Sequence, residues 1–288
     1  MENRNNDFLN GAILSPLLRF AGPVLLALFL QAMYGAALAT VFAQAVSVIL
    51  SLLVIMRRKL PFTFRREQLR FDRPLTAGIL RLGIPIALQD VLVGVSFLVI
   101  LAIVNSLGLL QSAGMGIAEK VCAFVMLLPS AFSQSVSAFV AQNTGAGKPE
   151  RAKKALRYSV AVSLSISVFV FYFNFFHGDL LAGIFANDRA VVLEAADYLK
   201  AYAIDCLLTS FLFCFVGYFS GLGKTVFVMA QGILGAFGVR IPVSFAMSRL
   251  PNVRLFYIGL ATPCSTVVQV LLCLGYYAHL ARRERTAR

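Results

Sequence analysis

Asp90, Asp205 and Arg240 are charged side chains set inside stretches otherwise built from Leu, Ile, Val, Phe and Ala. An ionisable group at the centre of a membrane span costs roughly 2.5–3.5 kcal/mol on insertion scales, so it marks an ion or proton carrier, a substrate contact or a lock between helices. Asp90 follows Pro85 by about one turn in LGIPIALQDVL. A carboxylate there can hold a proton or a small cation, and Pro85, lacking an N–H, leaves a backbone carbonyl free to help. The plainer alternative is an ion pair with Arg81 near the helix end. Gln89 adjoins Asp90, but consecutive residues do not share a helix face. Asp205, in YLKAYAIDCLLTSF, faces either a cavity or an edge solvated near Lys200. Arg240, in GVRIPVS, needs an anion, a carboxylate or backbone carbonyls, which a substrate or a neighbouring helix could supply. Gln134 and Gln269 either line a polar path or cross-link helices. The candidate ion and substrate path is therefore Asp90, Gln89, Asp205, Arg240 and Gln134.

Other chemistries find less support. The string GLGKT at 221–225 suggests a phosphate loop, but that pattern needs glycine at position 218, where Tyr218 stands, and a strand before it. His177 and His279 lie far apart with no paired ligands, so neither a hydrolase nor a metal site is expected, and no cofactor is. Cys122, Cys206, Cys214, Cys264 and Cys273 form no CxxC pair and sit inside apolar runs, as small buried hydrophobes do.

The elements that must position these residues are apolar and long. Of the 288 residues 59% are hydrophobic and only 14% charged, with mean hydropathy +0.80. Soluble domains carry about a quarter charged residues, so this is an all-α polytopic membrane protein. A span needs about 20 apolar residues. Segments 84–106, 117–141, 158–176, 198–220, 226–248 and 255–280 each qualify, and 17–56 is long enough for two more, turning near Gly35, about eight in all. A single tilted helix over 17–56 would rise about 60 Å, twice the bilayer core.

Charge orients the spans. Formal net charge is +13, from 26 Lys and Arg against 13 Asp and Glu. The basic residues cluster in 57–81, 142–157, 221–225 and 281–288, between apolar runs, which favours loops against anionic lipid over nucleic-acid binding. Segment 107–116 is uncharged, and 177–197 is acidic. The positive-inside rule places the first set, with the C-terminus, in the cytoplasm of a cell with this plasma (inner) membrane. Only 249–254, with Arg249 and Arg254, argues mildly against it. No cleavable secretory signal is read at the N-terminus.

Two motifs recur in order. Leu-Arg, three residues, then Pro opens spans at Leu18 and Leu80, and Leu-Ala-Thr at 38–40 and 260–262 precedes runs ending in Arg-Arg at 57–58 and 282–283. Parallel repeats are a recurring transporter plan. At 134–154, QSVSAFVAQNTGAGKPERAKK joins an apolar helix, a Gly145-Ala146-Gly147 turn and a Pro149 restart. This string resembles the loop after the eighth helix of multidrug and toxic compound extrusion (MATE) transporters. The resemblance implies twelve helices in two lobes around a central cavity. Residues 82–288 then correspond to a complete C-terminal six-helix lobe, 57–81 to a basic cytoplasmic connector, and 1–56 to a remnant of the first lobe, its first-type and sixth-type helices fused near 36.

The family reading implies an antiporter exporting small cationic or amphipathic drug-like compounds through the bilayer by alternating access, coupled to H+ or Na+. Family members commonly carry a carboxylate late in the first helix, and residues 37–39 here are Ala-Leu-Ala. A subgroup uses carboxylates in the seventh and tenth helices, at positions that fall near Val93 and Thr209, about a turn from Asp90 and Asp205. The alternatives are a non-transporting remnant or assembly partner, a lobe that rebuilds its cavity as a homodimer, and a lipid-linked saccharide flippase of related architecture. The Phe content, 25 residues with no Trp, suits either an apolar cavity for flat cations or a lipid-facing surface. The orientation makes a direct prediction. A single cysteine at position 148, in a cysteine-free background, should resist an impermeant thiol reagent in intact cells and react after permeabilisation; ready labelling from outside reverses the topology.

Overall fold

The computed structural model describes residues 72–286, together with 45, 46, 48–50 and 53. The expected turn near Gly35, the two-span reading of 17–56 and most of the 57–81 connector lie outside the described residues. Within them every element is helical: α1 (Arg73–Asn105), α2 (Leu109–Gly145), α3 (Pro149–Phe176), the short α4 (Gly178–Gly183), α5 (Arg189–Gly221), α6 (Thr225–Ile233), α7 (Ile241–Ser248), α8 (Leu255–Gly259) and α9 (Ala261–Thr286). A π-helical segment, Leu234–Arg240, fuses α6 and α7 into one span, and α8 and α9 make another, giving six membrane-length helices. The helices outrun the apolar windows. α1 begins at Arg73 because Asp72 caps it, its carboxylate accepting from the Leu75 N–H at 3.1 Å, with Pro74 in the first turn. At 33 residues it rises about 50 Å, well past a core of about 30 Å, so its basic first turns stand in the headgroup region.

Two turns at the basic end share one construction. Gly147 and Gly223 take φ of +70° and +72°. Each is followed by a lysine whose N–H returns to the last helical turn, Lys148 to the Asn143 carbonyl and Lys224 to the Phe219 carbonyl, both at 2.8 Å. That is the Schellman helix end, which needs a left-handed residue and therefore glycine. The Gly-x-Gly-Lys strings at 145–148 and 221–224 are thus helix terminators, which accounts for the misleading likeness of 221–225 to a phosphate loop.

α5 is the axis of the bundle: 61% of its apolar stretch is buried, against 11% for α1. Two hydrophobic layers run through it. One joins Val192, Leu199, Tyr202 and Cys206 to Met115 and Val121 of α2 and Leu255 and Ile258 of α8. The other joins Leu212, Phe215 and Phe219 to Phe132, Val136 and Val140 of α2, Leu156 of α3 and Cys273 of α9. Between them α5 buries Asp205, Thr209 and Ser210. α2 and α5 approach closely because α5 carries glycine where they touch: a Cβ on Gly217 would lie 2.3 Å from the Ser133 carbonyl oxygen, and one on Gly221 2.6 Å from that of Ser137. This is the small-residue packing on which helices in lipid rely.

Gly217→Ala should therefore lower stability by about 1–3 kcal/mol, since a backbone carbonyl cannot yield as a side chain can. Gly275→Ala, where a Cβ meets nothing within 4 Å, should be neutral or mildly stabilising. Thermal exposure of the buried thiols Cys206, Cys214 and Cys273 to a fluorogenic maleimide in detergent reads both; equal melting of the two variants would contradict the close α2–α5 contact.

Candidate functional site

The polar layer opens into a cavity of about 730 Å³ whose walls come from α1, α2, α5, the α6–π–α7 span and α9. All five sequence-derived candidates line it: Asp90 and Gln89 on α1, Gln134 on α2, Asp205 on α5 and Arg240 at the end of the π segment. Gln269 of α9 joins them. The sequence reading left open whether these groups face one space; the structure brings them to one.

Their settings differ. Asp205 is 1% exposed, and the Thr209 hydroxyl donates to its Oδ2 at 2.9 Å. Its Oδ1 is buried with no hydrogen-bond donor among the described residues. Lys200, the alternative neighbour, is exposed elsewhere on the helix. Arg240, 7% exposed, lies across to α1: its Nη1 donates to the Ser96 hydroxyl at 3.4 Å, and its guanidinium sits 4.5 Å from the centroid of the Phe97 ring. Arg240 Nε has no acceptor among the described residues. No ion pair within 4.0 Å joins Arg240 to Asp205. Asp90 stands at the open side of the cavity, exposed, and among the described residues no ion pair reaches it, from Arg81 or any other cation.

Backbone irregularity supports this arrangement. Pro242 withholds the N–H that an α-helix would direct at Gly238, and the preceding turn widens to the π form. Ser265 of α9 donates to the Gly235 carbonyl at 2.7 Å, and Gln269 Nε2 donates to the Ser265 hydroxyl at 3.0 Å. A Cβ on Gly235 would fall 2.3 Å from Gln269 Nε2, and one on Gly232 2.9 Å from Gln89, so these glycines make room for cavity glutamines. Sequence reasoning passed over Ser96 and Gln231 and met Thr209 only as a position matched by the resemblance, not as a partner of Asp205, although it stands four residues after Asp205, the helix spacing that lets two side chains meet. The aromatic content divides three ways: Phe169, Tyr172, Phe173 and Phe176 are exposed on α3, Phe132, Phe139, Phe215 and Phe219 are buried in the core, and the cavity takes Phe97, Tyr202 and Phe213.

At the opposite end from the Gly-x-Gly-Lys turns, one of the two arginines in the basic loop that breaks the charge pattern is paired. Arg254 Nη2 and Nε both donate to the Asp197 carboxylate, the latter at 3.2 Å, and the Phe256 N–H donates to Asp197 Oδ2 at 3.2 Å. These bonds hold the Arg254 guanidinium still more firmly protonated than usual. Arg189 likewise lies 4.0 Å from Asp179. Among the described residues no group of three or more His, Cys, Asp or Glu is placed to hold a metal ion.

Six membrane-length helices around a mid-depth polar cavity define a polytopic membrane protein with transporter architecture. The chain belongs to the MatE family, whose model matches residues 85–246. It is 24% identical over 258 residues to the probable multidrug resistance protein YoeA of Bacillus subtilis (strain 168), covering 88% of this chain and 56% of that protein. It is 27% identical over 220 residues to the multidrug export protein MepA of Staphylococcus saprophyticus, covering 75% and 48%. The chain thus spans about half the length of the curated relatives it matches. Among solved structures, MATE in the straight conformation superposes with TM-score 0.77 at 14% identity, over 94% of this chain and 63% of that one. An outward-facing multidrug resistance MATE transporter of the MOP superfamily gives 0.76 at 14% identity, over 94% and 63%. These likenesses show the fold.

The Arg240 setting yields a test. Arg240→Lys keeps the charge but loses the plane over Phe97, and should melt lower; Ser96→Ala, removing one interhelical hydrogen bond, should cost only about 0.6 kcal/mol. A double-mutant cycle of Arg240→Lys with Phe97→Leu should show coupling of about 1 kcal/mol. Simple additivity would mean that the guanidinium does not stack.

Proposed function

We propose that this chain is a lobe of an efflux antiporter that carries small cationic or amphipathic drug-like compounds out of the cell, driven by H+ or Na+ through alternating access. The observation that carries the reading is the convergence of Asp90, Asp205, Arg240 and the cavity glutamines on one space of about 730 Å³, within the range that holds drug-sized ligands. In this reading Asp205, buried with one oxygen lacking a donor among the described residues, and Asp90, at the mouth, exchange protons or sodium for the positive charge of the substrate. Arg240 fixes α1 against the α6–π–α7 span so that both carboxylates bear on the same volume. The names of the B. subtilis and S. saprophyticus relatives, multidrug resistance and multidrug export, support the substrate class. The membrane is the cell's inner (plasma) membrane, with the Gly-x-Gly-Lys turns and the C-terminus in the cytoplasm, an orientation supported by the pairing of Arg254 with Asp197 and Arg189 with Asp179 at the other end.

A second reading rests on Asp90. Its carboxylate and most of α1 are exposed among the described residues, so this wall needs a facing wall before it can enclose a substrate. A second copy of the chain supplies one in the homodimer reading, and an unlike lobe does so in the assembly-partner reading. Ethidium or norfloxacin accumulation in an efflux-deficient host separates the cases. The antiporter reading expects export that falls at least tenfold in Asp90→Asn and in Asp205→Asn at equal expression. Export untouched by Asp90→Asn removes Asp90 from the mechanism; no export from any reconstituted form of the chain sinks the antiporter reading in favour of the assembly partner.

A further inference from the structure

A second, smaller pocket of about 220 Å³ lies at the end of the lobe that carries the two Gly-x-Gly-Lys turns. Three cations from three separate elements line it: Lys153 from the first turns of α3, Lys224 from the turn into α6, and Arg283 from the last turns of α9. Lys153 bonds Glu150 at 3.3 Å, so the rim carries three positive charges beside one carboxylate. The left-handed Gly223 fixes where Lys224 projects, and α6 starts there with no side chain capping it, so the positive pole of that span faces the same place. The inner wall is of another kind. Tyr218 and Tyr277, their rings 5.8 Å apart, stand beside Leu222 and Leu280. Tyrosines of this sort occupy the level at which membrane headgroups begin.

We infer that this pocket is a binding site for the phosphate of an anionic membrane lipid. The reasons are its charge, its depth and its two-sided lining. A free inorganic phosphate would use the cations and leave the Leu222 and Leu280 wall idle, whereas a phosphodiester with a glycerol and the first acyl carbons uses both. The volume falls below the roughly 300 Å³ at which drug-sized ligands fit, and it lies apart from the polar cavity, sharing no lining residue with it. Basic pockets between spanning helices are where anionic headgroups lodge. A lipid seated there ties α3, α6 and α9 together at one membrane surface.

The test uses the purified full chain in neutral detergent, with phosphatidylglycerol, phosphatidylcholine and inorganic phosphate as separate probes, read by native mass spectrometry and by thermal shift. Phosphatidylglycerol should be retained and raise the melting temperature, while phosphatidylcholine and inorganic phosphate do neither. Lys224→Gln with Arg283→Gln should weaken phosphatidylglycerol binding about 25-fold, from two cation contacts of about fivefold each. Both side chains are exposed, so the fold should persist, and Lys224→Arg with Arg283→Lys should retain binding. Lys154→Gln with Arg157→Gln removes two exposed charges from the same end of α3 that do not line the pocket, and should leave binding within about twofold. An equal loss in that control would make the attraction a diffuse surface effect and overturn the site. Equal binding of inorganic phosphate would make it a free-anion pocket and overturn the lipid assignment.

Discussion

A carboxylate buried at mid-depth in the most enclosed helix constrains everything around it. Asp205 is buried within its helix bundle, so its neighbours must supply polarity, and they do so in one band: Thr209 on its own helix, Thr266 and Gln269 on α9, Gln134 on α2. That band interrupts what would otherwise be a single hydrophobic core and leaves two, each closed by α5 and α2. The apolar layers hold the bundle together, while the band between them gives it an interior where charge can reside. Close packing of α2 on α5 through Gly217 and Gly221 fixes the second of these layers beside the cavity.

The sequence was legible where the physics is one-dimensional. Span number from 84 onward, the turn at Gly145 and the basic polarity of alternate loops all follow from hydropathy and charge, and the six described spans fall where the apolar windows put them. Helix ends were less legible. The window 84–106 starts where charge ends, whereas α1 runs back through Arg81 to Arg73; where a proline marks the restart, at Pro149, the expected and observed helix starts coincide. In the site, the ionisable candidates were legible because a charge inside an apolar run is conspicuous. Their hydroxyl neighbours were not: Ser96 and Thr209 look like ordinary packing residues until the fold sets them beside Arg240 and Asp205. The balance between structural and functional roles for Arg240 was also hidden, because its contact with Ser96 spans 144 positions of sequence and that with Phe97 nearly as many.

The anomalous loop charges teach the same lesson. Counted one by one, Arg249 and Arg254 weaken the orientation drawn from charge. Counted with the partner that folding provides, Arg254 contributes little net charge, because Asp197 reaches it from a helix that begins more than fifty residues earlier. Positive-inside counting concerns charge free to meet the membrane surface, and pairing removes some of that charge from the count.

The π segment has one more consequence, and it concerns phase. Gly232, Ala236, Arg240 and Ser244 are all buried, at intervals of four. In an uninterrupted α-helix eight residues turn through about 800°, so Arg240 would sit about 80° round from Gly232, and Ser244 further still. The wider turn over Leu234–Arg240 takes up that drift and acts like one residue inserted into the register. The two halves of the span therefore keep a common inward face only across this break. The buried cation of the cavity owes its direction to a local fault in helical timing that Pro242 and the glycines before it make possible.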